Sequence, residues 1–157
     1  MMKILFICLG NICRSPMAEF IFKDMVKKHN LASKFYIDSK ATDGGYNERN
    51  KEGIYPETQR VLRENNIPFT EHISKEMCKD DYNNFDYILC MEEANIRNVL
   101  KYIDTDPENK VHRLLDFSDK PRDIADPWYY GNFEKTYSDI YEGCQKFLEY
   151  IIRTKYW

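Results

Sequence analysis

The stretch CLGNICRSP, residues 8–16, sets Cys8 and Arg14 apart with five residues between them. An apolar run leads into it and a helix start follows. The backbone N–H groups of a strand-to-helix turn converge on one point, and the helix start adds partial positive charge there. Arg14 adds a planar fork that grips two oxygens of a phosphate. A thiol in such a place has its anion stabilised. The chemistry is then attack of Cys8 on a bound phosphorus, through a cysteinyl-phosphate. Gly10 takes positive φ freely and Asn11 tolerates it better than most residues, so both are expected to permit the bend.

Such an attack needs a partner that protonates the leaving oxygen. Asp-Pro occurs at Asp106-Pro107 and again at Asp126-Pro127. Asp106 sits in a polar connection before a strand and reads as a turn residue. Asp126 is followed by Trp128, Tyr129 and Tyr130. Those rings either wall a slot for a flat ring or pack as a patch on the domain, and the residues alone leave both readings open. A slot beside an acid suits a phenol leaving group.

Other reactive side chains read differently. Cys90 lies inside YILCM and Cys144 on the apolar face of the last helix, so both read as small core residues. Cys78 reads the same way, in more polar surroundings. Five cysteines in no regular framework are expected to be free thiols. His29, His72 and His112 show no zinc-type spacing, so metal catalysis is not expected. A net charge of −3 gives no basic footprint for nucleic acid. The N-terminal apolar run of six residues, Ile4 to Leu9, is too short for a signal peptide or a membrane span. A cytoplasmic protein without membrane contact is the expectation.

The elements that must position these groups follow from periodicity. A chain of 157 residues, 43% hydrophobic, suits one domain over residues 1–157. Lys3–Leu9 and Phe85–Met91 read as strands buried on both faces, Phe35–Ser39 and Val111–Leu115 as two more. Helices are expected from Ser15 to about His29, from Pro56 to about Asn65, from Glu92 to Tyr102, and over Tyr137 to Ile151. Ser15 near the cap, Pro16 in the first turn and Glu19 close behind mark the first of these. Lys40–Gly53 reads as a loop, Phe69–Ile73 as a short extended piece, Lys79–Asn84 as a turn or short helix, and Leu115–Asn132 as aperiodic. Strands alternating with helices give an α/β fold, a parallel sheet with helices on both faces. Ligands sit beyond the carboxyl ends of such strands, where the Cys8 turn lies.

CLGNICRSP together with DPWYYGN, IDS at Ile37 to Ser39, and FDYILCM followed by Glu92, Glu93 and Asn95 resembles the low-molecular-weight protein tyrosine phosphatases over nearly the whole chain. The resemblance implies a four-stranded parallel sheet flanked by helices, no cofactor, and phosphotyrosine proteins as substrates. It implies Cys8 as nucleophile, Arg14 as the phosphate-gripping arginine and Asp126 as general acid, then base. Ser15 would hydrogen-bond the Cys8 thiolate. Asn11 would hold the loop through bonds that include Ser39 and His72. Leu9 and Ile12 would line the pocket mouth, and Tyr129 or Tyr130 would wall it, with Tyr46 where the family has an aromatic. Phosphate or similar oxyanions would occupy the loop. DPWYYG is one residue longer than the DPYYG of the family.

Two other activities belong to similar proteins. Thiol-dependent arsenate reductases share the anion loop but need further cysteines as a relay. Protein arginine phosphatases carry Thr where this chain has Ile12, and Ile12 suits a phenyl ring better than a guanidinium. A non-catalytic phosphotyrosine-binding module would lack the nucleophile or the acid, and both are present. Cys13, five positions after Cys8, is a packing residue and a candidate redox partner that would trap oxidised Cys8 as a disulfide.

Overall fold

The structure is a computed structural model that describes residues 1–155; the last two residues of the expected domain lie outside it. Four strands form one all-parallel sheet: β1 (Met2–Cys8), β2 (Phe35–Ala41), β3 (Tyr87–Cys90) and β4 (Val111–Arg113), in the order β2-β1-β3-β4. β1 is central, and its run from Ile4 to Ile7 is 0% exposed. Side chains alternate along a strand, so β1 feeds two cores. Ile4, Phe6 and Cys8 join one with residues of α1 (Arg14–Lys28) and α7 (Phe133–Thr154). Leu5 and Ile7 join the other with Val99 and Ile103 of α5 (Glu93–Ile103). Phe22 of α1 meets Phe6 at 5.8 Å and Phe147 of α7 at 5.6 Å between ring centroids, which locks α1 between sheet and α7.

The chain leaves β1 through α1 to β2 on one side, while β3 lies on β1's other side. This reversal opens a crevice at the carboxyl end of β1, and Cys8 is the last residue of that strand. The remaining helices are α2 (Gly45–Arg49), α3 (Pro56–Glu64), α4 (Asp81–Asn84) and α6 (Pro127–Tyr130). Among the described residues no helix is long and apolar enough to cross a membrane.

Several expected boundaries move. Lys40 and Ala41 belong to β2, because pairing with β1 continues to Cys8 opposite Ala41. The expected loop that follows contains α2, a five-residue helix too short to carry an apolar period. No strand forms over 69–73; the extended pairing is a single bridge between Ala41 and Glu76. β4 stops at Arg113 and tightens into a 3-10 turn over Leu114–Phe117. α7 starts at Phe133, four residues before the first apolar residue of its expected repeat, capped by the Asn132 side chain on Lys135 N at 2.9 Å. The aperiodic 115–132 region holds α6, whose cap is Asp126 itself.

Candidate active site

The turn after β1 is held by its carbonyls. Cys8 O accepts from Thr42 N at 3.1 Å, Leu9 O from Asp43 N at 2.8 Å, and Ile12 O from Tyr55 N at 2.9 Å. Gly10 O accepts from Ser74 Oγ at 2.8 Å and Asn47 Nδ2 at 3.0 Å. Every peptide bond here is trans, so each N–H points opposite the carbonyl of the same peptide unit. Four carbonyls turned outward therefore turn the amides of Leu9, Gly10, Asn11 and Cys13 inward. Asn11 N reaches the Cys8 sulfur at 3.2 Å, and Ser15 Oγ lies 3.0 Å from it. α1 begins at Arg14, so its positive end faces the same point.

Two expectations about this turn need correction. Ser15 does not cap α1; Cys13 holds the cap position without a side-chain bond, and the Ser15 hydroxyl is engaged with Cys8 and Asn11. Gly10 does not supply positive φ; Asn11 does, at φ 58. Gly10 gives room for close approach instead: a Cβ there would sit 3.0 Å from Asn47 Nδ2 and press on the amide that holds Gly10 O.

Asn11 is fully buried and uses both ends of its side chain. Its Nδ2 donates to Ser15 Oγ at 2.8 Å and to Ser39 Oγ at 3.0 Å. Its Oδ1 accepts from Lys75 N at 3.1 Å and meets His72 Nε2 at 3.0 Å. A backbone N–H only donates, so His72 must also donate here and carries its proton on Nε2. Ser39 Oγ passes its own proton bond to Glu19 Oε1 at 2.6 Å. Glu19, a helix-start marker in the sequence, is 4% exposed and lies behind the loop with Lys23 as its ion partner. Burial lowers the His72 pKa from its ordinary value, against the opposing pull of Glu19 and Asp38.

Arg14 is 1% exposed, and a charge so buried requires partners. Its Nη1 donates to Ile124 O at 2.8 Å and lies 3.3 Å from Glu92 Oε2, while Nη2 lies 3.4 Å from Asp126 Oδ2. The segment that brings Asp126 here is pinned at three successive residues. Arg122 reaches Asp139 and Glu142 of α7 at 3.0 Å each. Asp123 Oδ1 accepts from Glu93 N at 2.9 Å and Arg113 Nη1 at 3.1 Å. Ile124 N donates to Met91 O at 2.8 Å. The other Asp-Pro acid does something else: Asp106 accepts from Tyr82 Oη, Lys110 N and Val111 N, at 2.6 to 3.0 Å. Burial alone would raise its pKa, and these bonds outweigh that and lower it. It is a loop organiser, away from the Cys8 turn.

Cys8, Leu9, Gly10, Ile12, Cys13, Arg14 and Asp126 line a cleft of about 490 Å³, together with Tyr46, Asn47, Glu52, Tyr55, Pro56, Trp128 and Tyr129. The buried loop is its floor and the exposed rings are its mouth. Asn11 and Ser15 are not among the lining residues; with Ser39 and His72 they form the support behind the floor. Tyr130, one of the expected wall residues, does not line the cleft and is 76% exposed. Tyr55, absent from the sequence reading, meets Trp128 edge-on at 4.8 Å and stacks on Phe133 at 5.8 Å. Its only sequence signal was an aromatic just before the Pro56 helix start. Glu92 likewise looked like a helix start, and it does form a capping box with Asn95, but it also faces Arg14.

Cys13 packs with Val61 and Phe133 and is 5% exposed. Burial first, then the neighbouring Cys8 charge, push its thiol up to about 12. Cys13 is therefore protonated at neutral pH. Cys90 and Cys144 are 0% exposed, and burial pushes both thiols up as well. Cys78 is exposed.

The family model described as Low molecular weight phosphotyrosine protein phosphatase matches residues 3–156. The chain is 38% identical over 157 residues to the low molecular weight protein-tyrosine-phosphatase YfkJ of Bacillus subtilis, covering 99% of each chain. The crystal structure of YfkJ superposes with a TM-score of 0.92 at 36% identity, over 99% of this chain and 98% of that one. A protein tyrosine phosphatase from Entamoeba histolytica, solved with Hepes in its active site, gives 0.89 at 29% identity, over 99% of this chain and all of that one. The Drosophila arginine phosphatase gives 0.85 at 28% identity, over 98% of this chain and all of that one.

Proposed function

Because this chain belongs to the low molecular weight phosphotyrosine protein phosphatase family, and is a phosphatase hydrolase, we propose that it cleaves phosphotyrosine with Cys8, Arg14 and Asp126 as its working residues. The substrate phosphate takes the inward amides and the Arg14 fork. Cys8 Sγ attacks in line; the S–P bond forms as the bond from phosphorus to the phenolic oxygen breaks. Asp126 gives its proton to that oxygen. The amides and Arg14 hold the charge on the transferring group. Ser15 Oγ, 3.0 Å from the sulfur, stabilises the thiolate when it leaves again. Asp126, now ionised, takes a proton from the water that opens the cysteinyl-phosphate and releases inorganic phosphate.

The observation that carries this reading is the convergence on one cleft. A sulfur under Asn11 N–H and Ser15 Oγ shares its lining with an arginine 3.4 Å from an acid. Apolar Ile12 and the rings of Tyr46, Tyr55, Trp128 and Tyr129 suit the phenyl group of phosphotyrosine proteins. A free, reactive Cys8 fits a reducing, cytoplasmic compartment. Buried Cys90 and Cys144 offer no relay for an arsenate reductase. The similarity to an arginine phosphatase favours one second reading, phosphoarginine.

Hydrolysis of phosphotyrosine, phosphoserine and phosphoarginine peptides by wild type and Cys8→Ser tests the proposal. Wild type should prefer phosphotyrosine, and Cys8→Ser should show essentially no turnover of any peptide. Ordinary activity in Cys8→Ser would end the mechanism, and faster phosphoarginine turnover would replace the substrate.

A further inference from the structure

Three charged side chains line the cleft: Arg14, Asp126 and Glu52. Arg14 and Asp126 face each other at 3.4 Å. Glu52 is exposed at the mouth and enters no ion pair among the described residues. Its backbone is nonetheless fixed at both ends. Glu52 N donates to Asn47 O and Ser74 N donates to Glu52 O, each at 2.9 Å. Asn47 and Ser74 are the same two residues whose side chains hold Gly10 O. The carboxylate therefore hangs from the supports of the phosphate loop, and its place at the rim is registered to the reaction centre.

We propose that Glu52 sets substrate choice: it recognises a lysine or arginine beside the phosphotyrosine of the protein substrate and disfavours acidic neighbours. This rests on the phosphotyrosine reading above. With the phosphate on the floor and the phenyl ring in the slot, the adjoining peptide residues lie at the mouth. A cation there meets the Glu52 carboxylate together with ring faces from Tyr46, Tyr55, Trp128 or Tyr129. An acidic neighbour meets like charge. The interaction is at a wet rim, so it tunes rather than decides: a rim ion pair is worth up to ~1 kcal/mol, about fivefold.

The test uses two phosphotyrosine peptides that differ only in lysine or glutamate on either side of the phosphorylated residue. The readout is the ratio of their kcat/KM values. Wild type should favour the basic peptide by about threefold to fivefold, and the ratio should shrink in high salt. Glu52→Gln should bring the ratio near one, and Glu52→Lys should invert it. Glu149→Lys makes the same charge change on the exposed face of α7 and should keep the wild-type ratio. A wild-type ratio near one, a ratio unmoved in Glu52→Lys, or an equal shift in Glu149→Lys would overturn the proposal. Hydrolysis of both peptides without dependence on residue 52 defeats this inference alone. No hydrolysis of either, with phosphoarginine turned over, defeats the reading beneath it as well.

Discussion

The Cys8 loop and the aromatic loop after Asp126 sit on the same cleft but are built in opposite ways. In the first, Cys8, Asn11, Arg14 and Ser15 are nearly or wholly excluded from water, and Asn11 alone makes four side-chain contacts. In the second, Trp128, Tyr129 and Tyr130 are more than half exposed. Among the described residues, Trp128 is the only one of these three that rests on a partner ring, that of Tyr55. The boundary between the two styles falls at Asp126. Residues 122–124 before it are pinned to α7, to the start of α5, and to Met91 and Arg14. On the proposed mechanism, the difference separates the chemistry, which tolerates little movement, from the choice of what enters, which benefits from adaptable surface.

The largest test of that boundary is Asp126→Ala. If the acid belongs to the rigid side, its loss should cost about 10²–10⁴-fold in kcat with a poor leaving group. It should cost much less with a good one, such as a nitrophenolate, which needs no proton. Measuring kcat across a series of aryl phosphates gives the answer. A uniform loss would instead mean that Asp126 serves Arg14, 3.4 Å away, and holds the floor in shape.

A smaller test asks what the closed floor protects. Cys13 shares the floor with Cys8 but is packed against Val61 and Phe133 and remains a thiol at neutral pH. We propose that it reacts only after Cys8 is oxidised, forming a disulfide that thiols can reopen. After a peroxide pulse, wild type should regain most activity with dithiothreitol. Cys13→Ser should regain severalfold less, because its Cys8 proceeds to irreversible states. Equal recovery would leave Cys13 as packing alone.

The same contrast decided what could be read from the sequence. That Cys8, Arg14 and Asp126 share one cleft was legible because each is a polar or reactive group where packing would choose otherwise. The sheet was legible because β1 is apolar on both faces. Gly10 and Asn11 were both read as bend-formers, yet only Asn11 takes positive φ; a glycine's need for space depends on Asn47, 37 positions away. Glu19 looked local because helix-start patterns end within a turn, whereas its partner Ser39 lies on β2. Glu52 gave no signal and Tyr55 only that of an aromatic before Pro56, since their place at the cleft comes from hydrogen bonds to Asn47 and Ser74 and to Ile12 O. On the aromatic loop, three adjacent rings carry no period that tells which turn inward; Trp128, in contact with Tyr55, and Tyr129 line the cleft, and Tyr130 does not.

The finest test concerns His72, whose Nε2–H supports Asn11 from behind the floor. Its pKa is lowered in the fold, chiefly by burial. The unfolded chain, with an ordinary histidine near ~6.5, therefore binds the proton more readily than the folded one. Stability must then fall as pH drops through the ordinary value, and the loss is complete once pH is below the lowered one. One proton limits this slope to about 1.4 kcal/mol per pH unit. Urea unfolding between pH 7.5 and 5 measures it. His72→Gln keeps an N–H donor for Asn11 Oδ1 without a titrating ring, so it should remove that part of the pH dependence. An unchanged slope in His72→Gln would move the acid sensitivity to another group. The effect is small because one proton sets it, and His72 touches Asn11 rather than the sulfur. The exposed loop has less support: among the described residues its three rings share one ring contact, that of Trp128 with Tyr55.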